Sequence, residues 1–159
     1  MLLRRIARPL FASWFLTEGI DALRSPAPHV AAARAAVDRV ESAAPSARVD
    51  LTDEQLTALV RAHGAAVALA ALALAVGKAP RTAALALAGL TAPLVLVNLP
   101  DRAERTPHQK KARRDRLVRS LAFAAGAVLV AADREGRPGL RWRLEDAHER
   151  RVAAKADED

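Results

Sequence analysis

The chain of 159 residues contains no cysteine and no tyrosine, and only three phenylalanines, two tryptophans and one methionine. Without a thiol it forms no disulfide, holds no thiolate-bound metal or iron–sulfur cluster, and has no cysteine nucleophile of its own. Any redox role therefore needs a bound cofactor or a partner. So few rings leave little for bases to stack on, which argues against a nucleic-acid partner although the net charge is +7. Anionic lipid headgroups and acidic partners are the remaining counterparts for a basic chain. Motifs of catalysis are missing as well. No glycine-rich phosphate loop or Ser-His-Asp arrangement can be assembled, and no catalytic residue stands out. His29, His63, His108 and His148 are scattered without carboxylates at ligand spacing, so neither a metal site nor another cofactor is evident.

Charge is also absent from long runs, and this absence organises the chain. Charged residues lie in blocks, with four apolar segments pooled between them. The first, 6–23, reads "IARPLFASWFLTEGIDAL" and is interrupted by Arg8, Glu18 and Asp21. Arg4, Arg5 and Arg8 ahead of a short apolar stretch also fit a signal peptide, but Glu18 and Asp21 stand where cleavage needs small residues. Pro9 is expected in a first helical turn, where its missing N–H costs little. The second segment, 62–77, "AHGAAVALAALALAVG", is apolar on every side after His63, and such a helix belongs inside a large core or in lipid. The capping pair Thr52 and Gln55 starts its helix and Gly77 closes it, followed by the tight turn "KAPR". The third segment, 82–100, has no charge over nineteen residues. About 20 residues are needed to cross about 30 Å of hydrocarbon. Pro93 inside it is tolerated in a membrane span. The fourth, 117–132, carries only Arg119, placed to snorkel to the interface as an anchor.

These segments predict an all-α fold, a four-helix transmembrane bundle over 1–133, followed by a polar C-terminal tail over 134–159. Residues 24–61 form a polar connector in which Val30, Ala33, Val37 and Val40 recur at helical spacing, predicting an amphipathic helix that lies on the bilayer surface or caps the bundle. Gly64, Gly89 and Gly126 are expected where helices approach closely. Trp142 suits an interfacial anchor just beyond the fourth helix. The alternative is a soluble Ala-rich helical interaction domain. The Arg and Ala bias reads as a GC-rich bacterial genome, and the expected location is the plasma membrane, multi-pass. Arg4, Arg5, Arg8, Lys78 and Arg81 suggest a cytoplasmic N-terminus. The eight Lys and Arg of "DRAERTPHQKKARRDRLVR", read as a loop, would then face outside, against the positive-inside tendency.

Polar groups within the spans are the candidates for a site, because a charge at the bilayer centre costs roughly 2.5–3.5 kcal/mol on insertion scales. The first helix ends and the second begins on the same side. Glu18 and Asp21 are therefore expected near Arg61 and His63, as a salt bridge fixing helix packing or as a proton-accepting, pH-sensitive cluster.

The stretches "RRIARPLFAS", "GIDALRSPAP", "LVRAHGAA", "GKAPRTAALALA" and "AADREGRPGLRWR" fall in order along nearly the whole chain. In these stretches the chain resembles the actinobacterial DoxX family of small four-helix membrane proteins. The resemblance implies a four-span membrane protein associated with oxidative-stress and thiosulfate-handling partners, namely a superoxide dismutase and a sulfurtransferase. Through the related DoxD proteins it also implies quinone contact and a thiosulfate:quinone oxidoreductase. The chain departs from the family pattern after Pro93: the family's histidine position is Leu99, its aromatic pair is Asp101 and Arg102, its Lys-Asn pair is Arg119 and Ser120, and one asparagine is His63. Losing those polar groups favours a non-catalytic scaffold or subunit over a quinone-linked oxidoreductase subunit.

Overall fold

The computed structural model describes residues 2–44, 46, 50–100 and 106–133. Among them the fold is all-helical: α1 (Leu2–Arg24), α2 (Pro26–Ala43), α3 (Asp53–Val76), α4 (Pro80–Val97) and α5 (Pro107–Ala132). The tail 134–159 with Trp142, and the positions of Asp101 and Arg102, lie outside the described residues.

Local chemistry sets most helix boundaries. At α3, Gln55 N–H donates to Thr52 Oγ1 at 3.2 Å and Thr52 N–H donates to Gln55 Oε1 at 3.0 Å, a reciprocal cap that satisfies two end donors. Asp53 and Glu54 add negative charge at the positive end of the helix dipole. Gly77 ends α3 in the left-handed region at φ 79°, and Lys78 N–H reaches back to Ala73 O at 3.0 Å. Ala79 follows at φ 47°, an uncommon conformation for a residue with a Cβ, and Pro80 opens α4 at once.

Three boundaries differ from the sequence expectation. α4 ends at Val97, short of Pro100, because Asn98 leaves the helix and its Nδ2 donates to Leu94 O at 2.8 Å. α5 starts at Pro107, so most of the basic stretch expected as a loop is helical; Thr106 and Gln109 form a second capping box, and Lys, Arg and Gln are good helix formers. α1 starts at Leu2, which puts Pro9 in the helix interior, where it leaves the Arg5 carbonyl without its usual donor. Val40 of α2, expected on the packed face, is exposed.

α1, α3, α4 and α5 run alternately up and down. The α1–α3 crossing is a backbone contact: a Cβ on Gly19 would lie 2.7 Å from Gly64 O, and one on Gly64 2.8 Å from Gly19 O. Gly64 thus has its expected role, whereas Gly89 faces open space and meets no other helix among the described residues. Gly126 makes room for a ring, since its Cβ would meet Phe11 at 2.8 Å. All three phenylalanines and Trp14 form one cluster joining α1 to α5, with Trp14 stacked on Phe123 at 4.0 Å and Phe15 edge-on to Phe123 at 5.6 Å. Each such pair is worth about 0.5–1.5 kcal/mol beyond area burial. Leu74 and Leu87, fully buried, complete the centre between α3 and α4.

α3 (24 residues) and α4 (18 residues) are about 36 Å and 27 Å long at about 1.5 Å per residue. Both are long and apolar enough to cross a membrane, and only 22% of each apolar window is buried. The expected spans 6–23 and 117–132 do not reach that composition. Arg8, Glu18 and Asp21 interrupt α1, and the charged first half of α5 leaves only Ser120 to Ala132, about 20 Å.

Gly64→Ala should lower stability by about 1–3 kcal/mol, because the obstruction is backbone and cannot swing aside. Gly89→Ala should be neutral or stabilising by up to about 1 kcal/mol. Melting curves of the two purified variants in the same detergent check this, and equal shifts would show that the crossing does not rest on the glycine contact.

Candidate functional site

α2 lies across one end of the bundle, where α1 and α4 end and α3 and α5 begin. The prolines at 26 and 28 start it directly after α1, since proline fits the first turn and cannot continue the preceding helix. Three side chains then tie it to three different helices. His29 Nε2 meets Asp21 Oδ2 of α1 at 2.9 Å. Arg34 donates to Leu51 O at 2.8 Å and to Asp53 Oδ1 at 2.7 Å, at the start of α3. Arg39 donates to Val97 O at 3.0 Å and Leu99 O at 3.1 Å, at the end of α4.

That last contact answers a general need. The last four carbonyls of a helix lack internal donors and carry the negative end of its dipole. At α4 two guanidinium groups serve the last of them, Val97 O, together with the Leu99 carbonyl just beyond the helix, for Arg113 also donates to Val97 O at 3.1 Å and to Leu99 O at 3.2 Å. Arg116 adds a bond to Asn98 Oδ1 at 3.3 Å. At the opposite end of the bundle Arg81 Nε donates to Ala131 O at 3.0 Å, capping α5 from α4.

Beneath α2 the four elements α1 to α4 line a partly open cavity of about 240 Å³. Its wall is mostly aliphatic, including Leu56, Val67, Leu94 and Val97, with Glu18, His29 and His63 as the ionisable residues. His63 Nε2 is buried and has no hydrogen-bond partner; among the described residues it is the one buried side-chain nitrogen or oxygen so placed. Leaving such a group unpaired costs about 1–3 kcal/mol.

Glu18 and His63, two of the four residues expected to cluster, share this wall. Asp21 instead faces His29, and Arg61 is exposed on α3. His29 is the partner that sequence reading missed; the signal was its place in the first turns of a helix beginning straight after α1, eight residues beyond Asp21. The aromatic cluster was also missed, though Phe11, Trp14 and Phe15 stand at helical spacing. Arg119 is exposed on α5, at the boundary between its charged and apolar halves. No group of three or more His, Asp or Glu able to hold a metal occurs among the described residues. The chain matches no family model, no curated protein and no solved structure.

Because the protein has no cysteine, Ala33→Cys places a single thiol in the cavity wall under α2. It should react slowly with a maleimide, and adding Arg39→Ala should speed labelling several-fold by freeing one end of α2. An unchanged rate would show that the guanidinium contacts do not hold the cap in place.

Proposed function

We propose that this chain is a DoxX-like integral membrane protein whose four helices α1, α3, α4 and α5 sit in the bilayer, with α2 as a surface cap. In this reading it is a non-catalytic scaffold or subunit of a membrane-associated redox or oxidative-stress complex in the bacterial plasma membrane. Soluble redox proteins, of which a superoxide dismutase and a sulfurtransferase are the proposed examples, would dock on it.

The observation that carries the membrane reading is the outward-facing apolar surface of α3 and α4. A core helix of a soluble bundle buries its apolar side chains, whereas Leu69, Leu72 and Val76 of α3 and Leu85 and Leu96 of α4 are each more than half exposed. Leu10 of α1 and Leu129 of α5 are likewise exposed, at 68% and 72%. So many exposed large apolar side chains are unusual on a soluble monomer and match hydrocarbon as solvent. Hydroxyl groups along the helices suit it too. Ser13 and Thr17 on the exposed side of α1 donate to carbonyls of their own helix, as polar groups facing lipid must.

α1 and α5 join as partial spans completed by packing. The charges of α1 lie toward its two ends, where long side chains reach the interface, and its centre from Pro9 to Thr17 is uncharged. The scaffold part of the reading is supported by how the polar side chains are used: Arg34, Arg39, Arg81, Arg113 and Arg116 hold helix ends together.

Alkaline carbonate washing of membranes from cells expressing the chain tests the proposal. The protein should stay in the pellet until detergent is added, and then copurify with soluble partners. Release into the wash would leave a soluble helical bundle and remove the membrane reading.

A further inference from the structure

The outward face of α5 changes chemistry once along its length. At about 100° per residue, Lys110, Lys111 and Arg114 share one sector, about 100° wide, with Val118, Leu121 and Leu129. All six are exposed, and no polar residue follows Arg114 in that sector. Three neighbouring cations therefore run directly into an apolar strip. We infer that this face binds anionic phospholipid, with lipid phosphates at Lys110, Lys111 and Arg114 and acyl chains along the strip that follows them.

The cations on this face are unspent. α5 uses its basic residues in two directions: Arg113 and Arg116 reach the end of α4 and are occupied there. Lys110, Lys111 and Arg114, by contrast, have no ion pair and no side-chain hydrogen bond among the described residues. Lys110 and Arg114 stand four residues apart and Lys111 and Arg114 three, spacings at which like charges repel on a helix. Asp115, the only acidic residue of α5, pairs with none of them. Relief of that repulsion is left to an anion from outside.

The apolar strip decides which anion. A water-soluble anion would answer the charges and leave the strip bare. A phospholipid answers both, because its phosphate and its acyl chains are joined in the order in which the face presents them. Arg114 and Val118 stand about one turn apart, roughly 6 Å along the axis, so the change from headgroup to hydrocarbon falls within a single turn. Long lysine and arginine stems cover part of that step while their charges stay at the headgroup level. The inference rests on the membrane reading, which sets α5 through the headgroup layer, and adds the lipid chemistry selected there and the side chains that select it.

The test uses the full chain in neutral detergent, titrated with dioleoylphosphatidylglycerol or dioleoylphosphatidylcholine, with bound lipid counted by native mass spectrometry. The wild type should bind phosphatidylglycerol about tenfold more tightly than phosphatidylcholine. Lys110→Gln/Lys111→Gln/Arg114→Gln should remove that preference, since each basic residue near an anionic lipid surface contributes about a factor of five. Glutamine is as good a helix former, so the triple variant should melt with the wild type in lipid-free detergent. Arg24→Gln/Arg61→Gln/Lys78→Gln, an equal charge change at other exposed positions, should keep the preference. Equal affinity for the two lipids, an undiminished preference in the first variant, or an equal loss in the second overturns the inference. So does displacement of phosphatidylglycerol by an equal concentration of glycerol phosphate, which would mark a site for a water-soluble anion. When the chain resists the carbonate wash, any of these results leaves the membrane reading standing. Release into the wash overturns that reading, and with it the placement of this face in a headgroup layer.

Discussion

The backbone contact between Gly19 and Gly64 governs the rest of the structure. Only residues without a Cβ allow α1 and α3 to touch at this distance, and everything on α1 takes its position from that crossing. Glu18 and His63 are the sequence neighbours of the two glycines, which is why both enter the same cavity wall. Further along, the same alignment turns Phe11, Trp14 and Phe15 toward Phe123, so rings bridge to α5 where the backbones stay apart. At the end of α1 it presents Asp21 to His29 and so anchors the start of α2.

The cap depends on a different kind of interaction. Its ion pairs are exposed, with Asp21 at 62% and Asp53 at 89% side-chain exposure, and such pairs contribute only about 0–1 kcal/mol each. Guanidinium bonds to helix-end carbonyls weigh more, because they satisfy acceptors that have no other intrahelical donor and oppose the dipole. Arg39 and Arg113 meet at the same two carbonyls from different helices, so α2, α4 and α5 are fastened at one point. The cavity lies directly inside that point, between the fastening at α4 and the glycine crossing at α1 and α3.

Much of this was legible in the sequence wherever the signal was local. Thr52 with Gln55, Gly77 and the uncharged run from Thr82 each act within a few residues, and the helices they predict are present. The misreadings arose where tertiary packing or a competing signal decides. Thr106 with Gln109 is the same capping pattern as at α3, but the density of Lys and Arg after it suggested a solvated loop. Gly89 and Gly19 look alike in sequence; only the crossing partner separates the glycine in open space from the one against a backbone. The candidate site was half visible for the same reason. Placing α1 and α3 side by side brings Glu18 and His63 together, whereas the position of His29 requires knowing that α2 folds back over the bundle end.

The helical start of α5 also bears on orientation. Counted as a free loop, its basic residues oppose a cytoplasmic N-terminus under the positive-inside tendency. In the fold, Arg113 and Arg116 hold the end of α4, which accounts for basic residues at this position without reference to a side of the proposed membrane. Their weight as a topological signal falls accordingly. Lys78 and Arg81 sit at the opposite end, and Arg81 likewise caps a helix, that of α5. Both ends of the bundle therefore use arginine as mortar between antiparallel helices, a use that follows from pairing helix termini where one element's final carbonyls meet another element's first turns.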